Sequence, residues 1–240
     1  MASTIRLHVD QPLGAGQTLA LAAGQAHYLF GVMRKGVGEV LEVFNGRDGT
    51  WSAEVVEAKK KAGVLVCRDR IAEQRDPPDL WLLFAPIKKA RTDFIVEKAA
   101  ELGARRICPV LTDFTNSERV RADRLQAHAV EAAEQCGGNY VPEVSEAERL
   151  DRVLSDWDPA RRILFCDETA VGTASDFGTL PSGPWAILIG PEGGFSTSER
   201  DRLRALDHAH AVSLGPRILR ADTAAVAALT LWQAALGDWA

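Results

Sequence analysis

The chain has 240 residues, 46% of them hydrophobic and 25% charged, and carries a net charge of −5 at neutral pH. That balance belongs to a globular chain with enough length for one large domain or two modest ones, and it excludes disordered and collagenous classes. The longest nearly apolar stretch, residues 224–236, is interrupted by Thr230 and Gln233 and falls far short of the roughly 20 residues a membrane span requires.

At the N-terminus Arg6, His8 and Asp10 interrupt what would be the apolar region of a signal peptide, which predicts a cytoplasmic location and no membrane partner. Short, partly β-branched or aromatic runs at 18–21, 40–44, 51–56 and 64–71 are separated by turn signals such as Asn45-Gly46 and Asp48-Gly49. They predict a small β-barrel or sandwich. Between the first two runs, residues 25–34 carry apolar side chains at helical spacing and are followed by Gly36 and Gly38, so one short helix is expected there. The segment Arg75-Asp76-Pro77-Pro78-Asp79 forbids helix and ladder alike and sets a predicted boundary between domains 1–75 and 76–240. Beyond it, strand-length apolar runs at 80–85, 107–111, 163–166, 185–189 and 211–214 alternate with amphipathic segments at 92–102, 122–136, 198–206 and 223–236. Such alternation predicts an α/β domain with a mostly parallel sheet covered by helices on both faces.

The charge is uneven. Residues 1–75 hold ten basic against eight acidic groups, and the remainder eighteen against twenty-five, so an RNA partner is permitted only at local basic clusters. The cysteines Cys67, Cys108, Cys136 and Cys166 form no C-x-x-C pair, a pattern that suits reduced structural thiols and predicts no metal site.

Two loops stand out. The run Ile187-Leu188-Ile189-Gly190-Pro191-Glu192-Gly193-Gly194-Phe195 is a buried strand passing into a glycine-rich loop, and Ser196 with Glu199 spells an S-x-x-E capping box that opens a helix. Strand, tight loop and helix start put backbone N–H groups at the carboxyl edge of the sheet, where open α/β sheets bind ligands. The second, Leu214-Gly215-Pro216-Arg217-Ile218-Leu219-Arg220-Ala221-Asp222, follows the next strand and leads into the last helix. Ile218 and Leu219 must either pack into the core or line an apolar ligand pocket, and Asp222 is also of a type that caps helices. No triphosphate-binding, Rossmann or nucleophile-elbow motif occurs. Among the basic clusters, Lys88 and Lys89 directly after a strand share the edge expected for the two loops, where phosphate contacts would orient a nucleic acid.

These two loops, together with Asp222-Thr223-Ala224, His27-Tyr28-Leu29, Glu97-Lys98-Ala99-Ala100-Glu101-Leu102-Gly103 and Glu134-Gln135-Cys136-Gly137, resemble the ribosomal RNA small subunit methyltransferase E family of the SPOUT class over nearly the whole chain. The resemblance implies an N-terminal PUA-like β-barrel that binds RNA and a C-terminal SPOUT α/β domain with a deep trefoil knot, working as a homodimer. It further implies S-adenosyl-L-methionine as cofactor and methylation of N3 of one uridine in the decoding region of 16S rRNA within the small ribosomal subunit. Carried over by position, the cofactor residues would be Ile189, Gly190, Pro191, Gly193, Gly194, Leu214, Gly215, Ile218 and Leu219, with Glu168 as a further contributor. The N3 of uracil is protonated at neutral pH, so attack on a methyl group needs a base and a stabiliser of charge on the flanking carbonyls. Arg220 is the expected stabiliser, and Asp222 or Glu192 the expected base. Expected RNA contacts are Arg6, Arg34, Lys59, Lys60, Lys61, Lys88 and Lys89. The chain departs from the family's pattern in carrying Asp222 where relatives generally have Glu, and Phe114 and Gly138 where they place arginines. Alternatives from other classes are a SPOUT enzyme acting on a different RNA site and a non-catalytic RNA-binding factor in ribosome assembly.

Overall fold

The computed structural model describes residues 4–116, 120–167, 169, 170, 172 and 174–240. The chain divides into two compact units, one running through Asp76 and taking in Ala133–Val141, the other comprising Pro77–Ala132 and Pro142–Ala240.

The first unit contains β1 (Arg6–His8), β2 (Thr18–Ala20), a helical segment in which α1 (Ala23–Ala26) widens into a π-turn (His27–Val32), β3 (Val40–Phe44), β4 (Thr50–Lys59) and β5 (Ala62–Ala72). These strands form one sheet in the order β1-β3-β4-β5-β2. Only the β1–β3 pair is parallel. Strand β1 was not expected: three residues with a single buried side chain, Leu7, are too short for a periodicity signal and pair only because β3 is already in place. The segment expected as one helix over 25–34 instead shifts to i→i−5 bonding, with the Met33 amide donating to the Tyr28 carbonyl at 2.9 Å. The Asn45–Gly49 turn is held by Asn45, whose Oδ1 accepts from the Arg47 and Asp48 amides and whose Nδ2 donates to Asp48 Oδ2. Leu19, Leu29, Leu41, Val43, Val55 and Leu65 make the core. Residues 133–141 join this unit through specific bonds: buried Asn139 accepts from the Arg75 amide at 3.1 Å and donates to the Glu73 carbonyl at 2.8 Å, while Glu134 accepts from the His8 amide at 2.8 Å.

In the second unit β6 (Leu80–Phe84), α2 (Lys89–Glu101), β7 (Arg106–Leu111), α3 (Ala122–Cys136, its end from Ala133 counted with the first unit), β8 (Glu143–Val144), β9 (Glu148–Arg149), α4 (Leu150–Ser155), β10 (Arg162–Cys166), β11 (Trp185–Ile189), α5 (Thr197–Arg204), β12 (Ala209–Val212) and α6 (Ala221–Leu236) follow in order. The sheet reads β12-β10-β11-β6-β7-β8, with β9 also on β7, and every pair is parallel. Burial on both faces explains why these strands read as continuous apolar runs, β11 being buried throughout. Leu83, Phe165 and Leu188 share a core with Leu150 and Leu154 of α4 and Leu203 of α5. Alternation turns Ile187 to the other face, where α6 contacts β11 and packs on α2. Among the described residues no helix is long and apolar enough to cross a membrane.

The last strand was expected at 211–214 and lies at Ala209–Val212. Its ladder partner β10 runs only from Ile163 to Cys166 across from it, so Ser213 and Leu214 have no strand to pair with and enter the following loop. The α2–α6 contact is pinned by Gln233, fully buried, whose Nε2 donates to the Leu102 carbonyl at 2.7 Å and whose Oε1 accepts from the Asp238 amide at 3.2 Å. Replacing Gln233 by Leu keeps most of the volume and removes both bonds. We expect a loss of about 1–3 kcal/mol, read as a lower urea midpoint with an unchanged slope.

Candidate active site

Strands β12, β10 and β11 are neighbours, so the loops leaving their carboxyl ends emerge side by side and enclose a cavity of about 220 Å³.

The floor comes from the end of β10, where Cys166, Asp167 and Ala170 line the cavity. The Asp167 side chain is fully buried; it accepts from the Thr169 hydroxyl at 2.7 Å, the Thr169 amide at 3.0 Å and Arg204 Nη2 at 2.6 Å. Burial alone would raise its pKa, but the Thr169 hydrogen bonds and the Arg204 guanidinium outweigh that and hold it below the ordinary carboxylate value. Burial pushes the neighbouring Cys166 thiol up to about 12, so at neutral pH it is protonated and a poor nucleophile.

One wall is the loop after β11. The Gly194 amide donates to the Pro191 carbonyl at 2.9 Å, and Gly194 takes φ +68°, a left-handed conformation that favours glycine. Phe195 is fully buried and packs edge-on against Phe165, with ring centroids 6.3 Å apart. A Cβ at Gly190 would stand 3.1 Å from the Phe195 ring, so the backbone approaches that ring as closely as a glycine permits. The capping box predicted at Ser196 and Glu199 is present, the Glu199 amide donating to Ser196 Oγ at 3.2 Å and the Ser196 amide to Glu199 Oε2 at 2.8 Å. The other wall is the loop after β12, where Ser213, Leu214, Gly215, Arg217, Ile218, Leu219 and Arg220 line the cavity. Ile218 is 74% exposed while facing it. An apolar side chain left this open at a cavity wall supplies a surface that a ligand can cover.

The structure thus brings Ile189, Gly190, Pro191, Gly194, Leu214, Gly215, Ile218 and Leu219 to one cavity, together with Glu192 and Arg220. Two expected residues are not on its lining. Gly193 lies against the Phe114 side chain. Asp222 sits in the first turn of α6, where its carboxylate accepts from the Thr223 amide at 2.9 Å and faces Arg91 Nε at 3.6 Å. That carboxylate is thus engaged by an arginine and by its own helix start, whereas Glu192 is exposed on the cavity lining. Glu168 lies outside the described residues.

The expected RNA contacts differ in their surroundings. Arg6 is engaged internally: its Nε is 3.2 Å from Glu42, its Nη2 donates to the Gly138 carbonyl at 2.8 Å, and its guanidinium lies 5.0 Å from the Phe44 ring centre. With its side chain only 11% exposed, it braces its own unit and offers little to a phosphate. Lys60 and Lys61 form the exposed tip of the β4–β5 hairpin, and Lys59 beside them pairs with Glu57 at 3.0 Å. Arg34 is exposed, with φ +55°. Lys88 and Lys89, both exposed, begin α2. Sequence reasoning missed Asp167, Arg204, Ser213 and Arg91; for Asp167 a signal existed, since it directly follows the run predicted as the strand 163–166.

Residues 74–233 match the RNA methyltransferase domain family, and residues 21–66 the RNA methyltransferase PUA domain family. The chain is an RNA methyltransferase with a PUA-like N-terminal domain and an α/β domain. A protein of Synechocystis sp. called ribosomal RNA small subunit methyltransferase E is 30% identical over 223 residues, 88% of this chain and 71% of that one. Its namesake in Rickettsia conorii is 27% identical over 228 residues, 93% of each chain. The crystal structure of the Neisseria gonorrhoeae protein of that name, bound to S-adenosyl methionine, matches with a TM-score of 0.89 and 26% identity over 99% of this chain and 100% of that one. The chain belongs to the ribosomal RNA small subunit methyltransferase E family.

The depressed pKa of Asp167 has a consequence for stability. Its contribution is present above the unfolded-state carboxylate pKa and is lost as pH falls through the lower, folded-state value. The stability gap between the wild type and Asp167→Asn, measured by urea unfolding, is therefore expected to be constant near neutrality and to narrow below about pH 4.

Proposed function

We propose that this enzyme methylates N3 of one uridine in the decoding region of 16S rRNA, in the small ribosomal subunit, using S-adenosyl-L-methionine. The observation that carries the reading is the convergence of both motif loops, Arg220 and Glu192 on a single cavity. The residues fit the cofactor: backbone of the Gly190–Gly194 and Leu214–Arg220 loops, polar groups such as Ser213 and the open apolar face of Ile218 suit a ligand that is part nucleoside and part amino acid. When bound, that cofactor supplies a methyl group on a positively charged sulfur. Ile189, Gly190, Pro191, Gly194, Leu214, Gly215, Ile218 and Leu219 would hold it, with Gly193 keeping the loop thin.

The rest is the work of the chain's own side chains. The N3–H of uracil must lose its proton before the nitrogen can act as a nucleophile, and Glu192, exposed on the cavity, is positioned to accept it. We assign that role to Glu192 in preference to Asp222, which is engaged with Arg91. Arg220, at the cavity and directly before α6, stabilises the negative charge that spreads to the uracil carbonyl oxygens. Lys60 and Lys61 at the hairpin tip, Arg34, and Lys88 with Lys89 would contact phosphates and orient the RNA. We also infer a trefoil-knotted SPOUT domain, a closed PUA-like barrel, a homodimer and action in the cytoplasm. The return of the chain from edge strand β12 to α6, which packs on β11 and α2, supports the knotted reading.

Incubation with labelled S-adenosylmethionine and small subunits lacking the modification, followed by nucleoside mass spectrometry, tests the proposal. One 3-methyluridine per subunit is the expected product; a methyl on another atom or another RNA would refute it. Arg220→Ala is expected to lower kcat by about 10²–10³ with cofactor affinity little changed in calorimetry, whereas loss of cofactor binding would make Arg220 a cofactor ligand. Lys60→Glu with Lys61→Glu is expected to weaken subunit binding and reduce its salt dependence; unchanged binding would remove the hairpin tip from the interface.

A further inference from the structure

Phe114, in the loop after β7, is a large aromatic side chain left 51% exposed. Its backbone is held from both sides. The Asp113 amide donates to Glu199 Oε1 at 2.8 Å, and the Asp113 carboxylate accepts from Ser196 Oγ at 2.6 Å. The Thr115 amide donates to the Thr112 carbonyl at 3.1 Å, and the Thr115 hydroxyl accepts from the Thr112 amide at 2.8 Å. The capping box that starts α5 thus also anchors the loop that carries Phe114. The ring lies against Gly193, where an added Cβ would come within 3.3 Å of Phe114 Cβ. Gly193 is flanked in the chain by Glu192 and Gly194, both of which line the cavity. An exposed aromatic ring therefore stands on an anchored backbone beside the loop that carries the carboxylate assigned to N3.

We propose that Phe114 is the stacking platform for the pyrimidine ring of the target nucleotide, a reading that rests on the function proposed above. A base turned out of its RNA stack loses the contacts of both faces, and an aromatic side chain at the active site replaces one of them. Stacking grips the π-face only. It leaves the in-plane N3–H and both carbonyl oxygens free, so the edge that must meet Glu192 and Arg220 stays open while the ring is held. Because the Asp113 and Thr112 bonds already order the backbone on either side of Phe114, the loop itself loses little freedom when a base lands on the ring.

The test compares the wild type with Phe114→Ala, Phe114→Leu and Phe114→Tyr, using unmodified small subunits as substrate. Phe114→Ala should raise the KM for the subunit about ten- to hundredfold, with the calorimetric Kd for S-adenosylmethionine and the thermal midpoint unchanged. Phe114→Tyr should return KM to near the wild-type value, and Phe114→Leu should not. An unchanged KM in Phe114→Ala, equal rescue by Leu and Tyr, a weakened cofactor Kd, or loss of dimer in size-exclusion chromatography would each overturn the proposal. If the wild type transfers no methyl group to the subunit, the functional reading itself fails. Filter binding of oligouridine by the same variants then still decides the stack, since equal affinities of wild type and Phe114→Ala overturn it without turnover.

Discussion

Everything at the active site depends on β10 lying in parallel register between β11 and β12. The ladder pairs Phe165 with Leu188 on one side and with Ala211 on the other, and carries on to Cys166 opposite Val212. Three strands therefore end on one edge, and the loops that follow them must emerge together. A slip of one residue between β10 and β11 would turn either Phe165 or Leu188 away from the core they share with Phe195 and Leu203. Burial thus specifies the register, and the register specifies where the two motif loops meet.

Side-chain bonds then fix what the sheet only brings close. Asp167 gathers the Thr169 amide and hydroxyl and Arg204 below the cavity. Ser196 and Glu199 cap α5 and at the same time hold the Asp113 loop. One polar network thus holds the cavity floor at Asp167, and a second fixes the start of the helix that follows the β11 loop. The cysteine that reaches the cavity, Cys166, has its thiol pushed up to about 12 by burial and offers no thiolate nucleophile at neutral pH.

A net charge of −5 means that RNA must be recognised at particular places rather than by the general field of the protein. The structure separates basic residues that serve the fold from those that remain available. Arg6 is occupied by Glu42, Gly138 and Phe44, and Arg124 is bonded through both terminal nitrogens to Asp93. Lys60 and Lys61 stand at an exposed turn. An aromatic platform complements such sparse charge, since stacking adds affinity without further cations.

The sequence by itself determined the elements whose signal is local. The S-x-x-E cap at Ser196, the Asn45 turn, the continuous apolar runs of β6, β10 and β11 and the amphipathic repeat of α3 all appear where the residues called for them, because each is decided by neighbours within a few positions. The two glycine loops were legible for the same reason, and the β/α alternation put both at the carboxyl edge of a parallel sheet, but it is β10 between β11 and β12 that brings them together. What only the tertiary structure decided lies in contacts between distant positions. Strand β1 forms because β3 offers it an edge; β12 stops at Val212 because β10 ends opposite it; Asn139 ties 133–141 to the first unit through Glu73 and Arg75. The same holds for the roles of charged groups. Nothing in the local sequence of Asp222 announces Arg91, and nothing around Arg6 announces Glu42 or Gly138, since a side chain's partner is chosen by three-dimensional proximity and not by spacing along the chain.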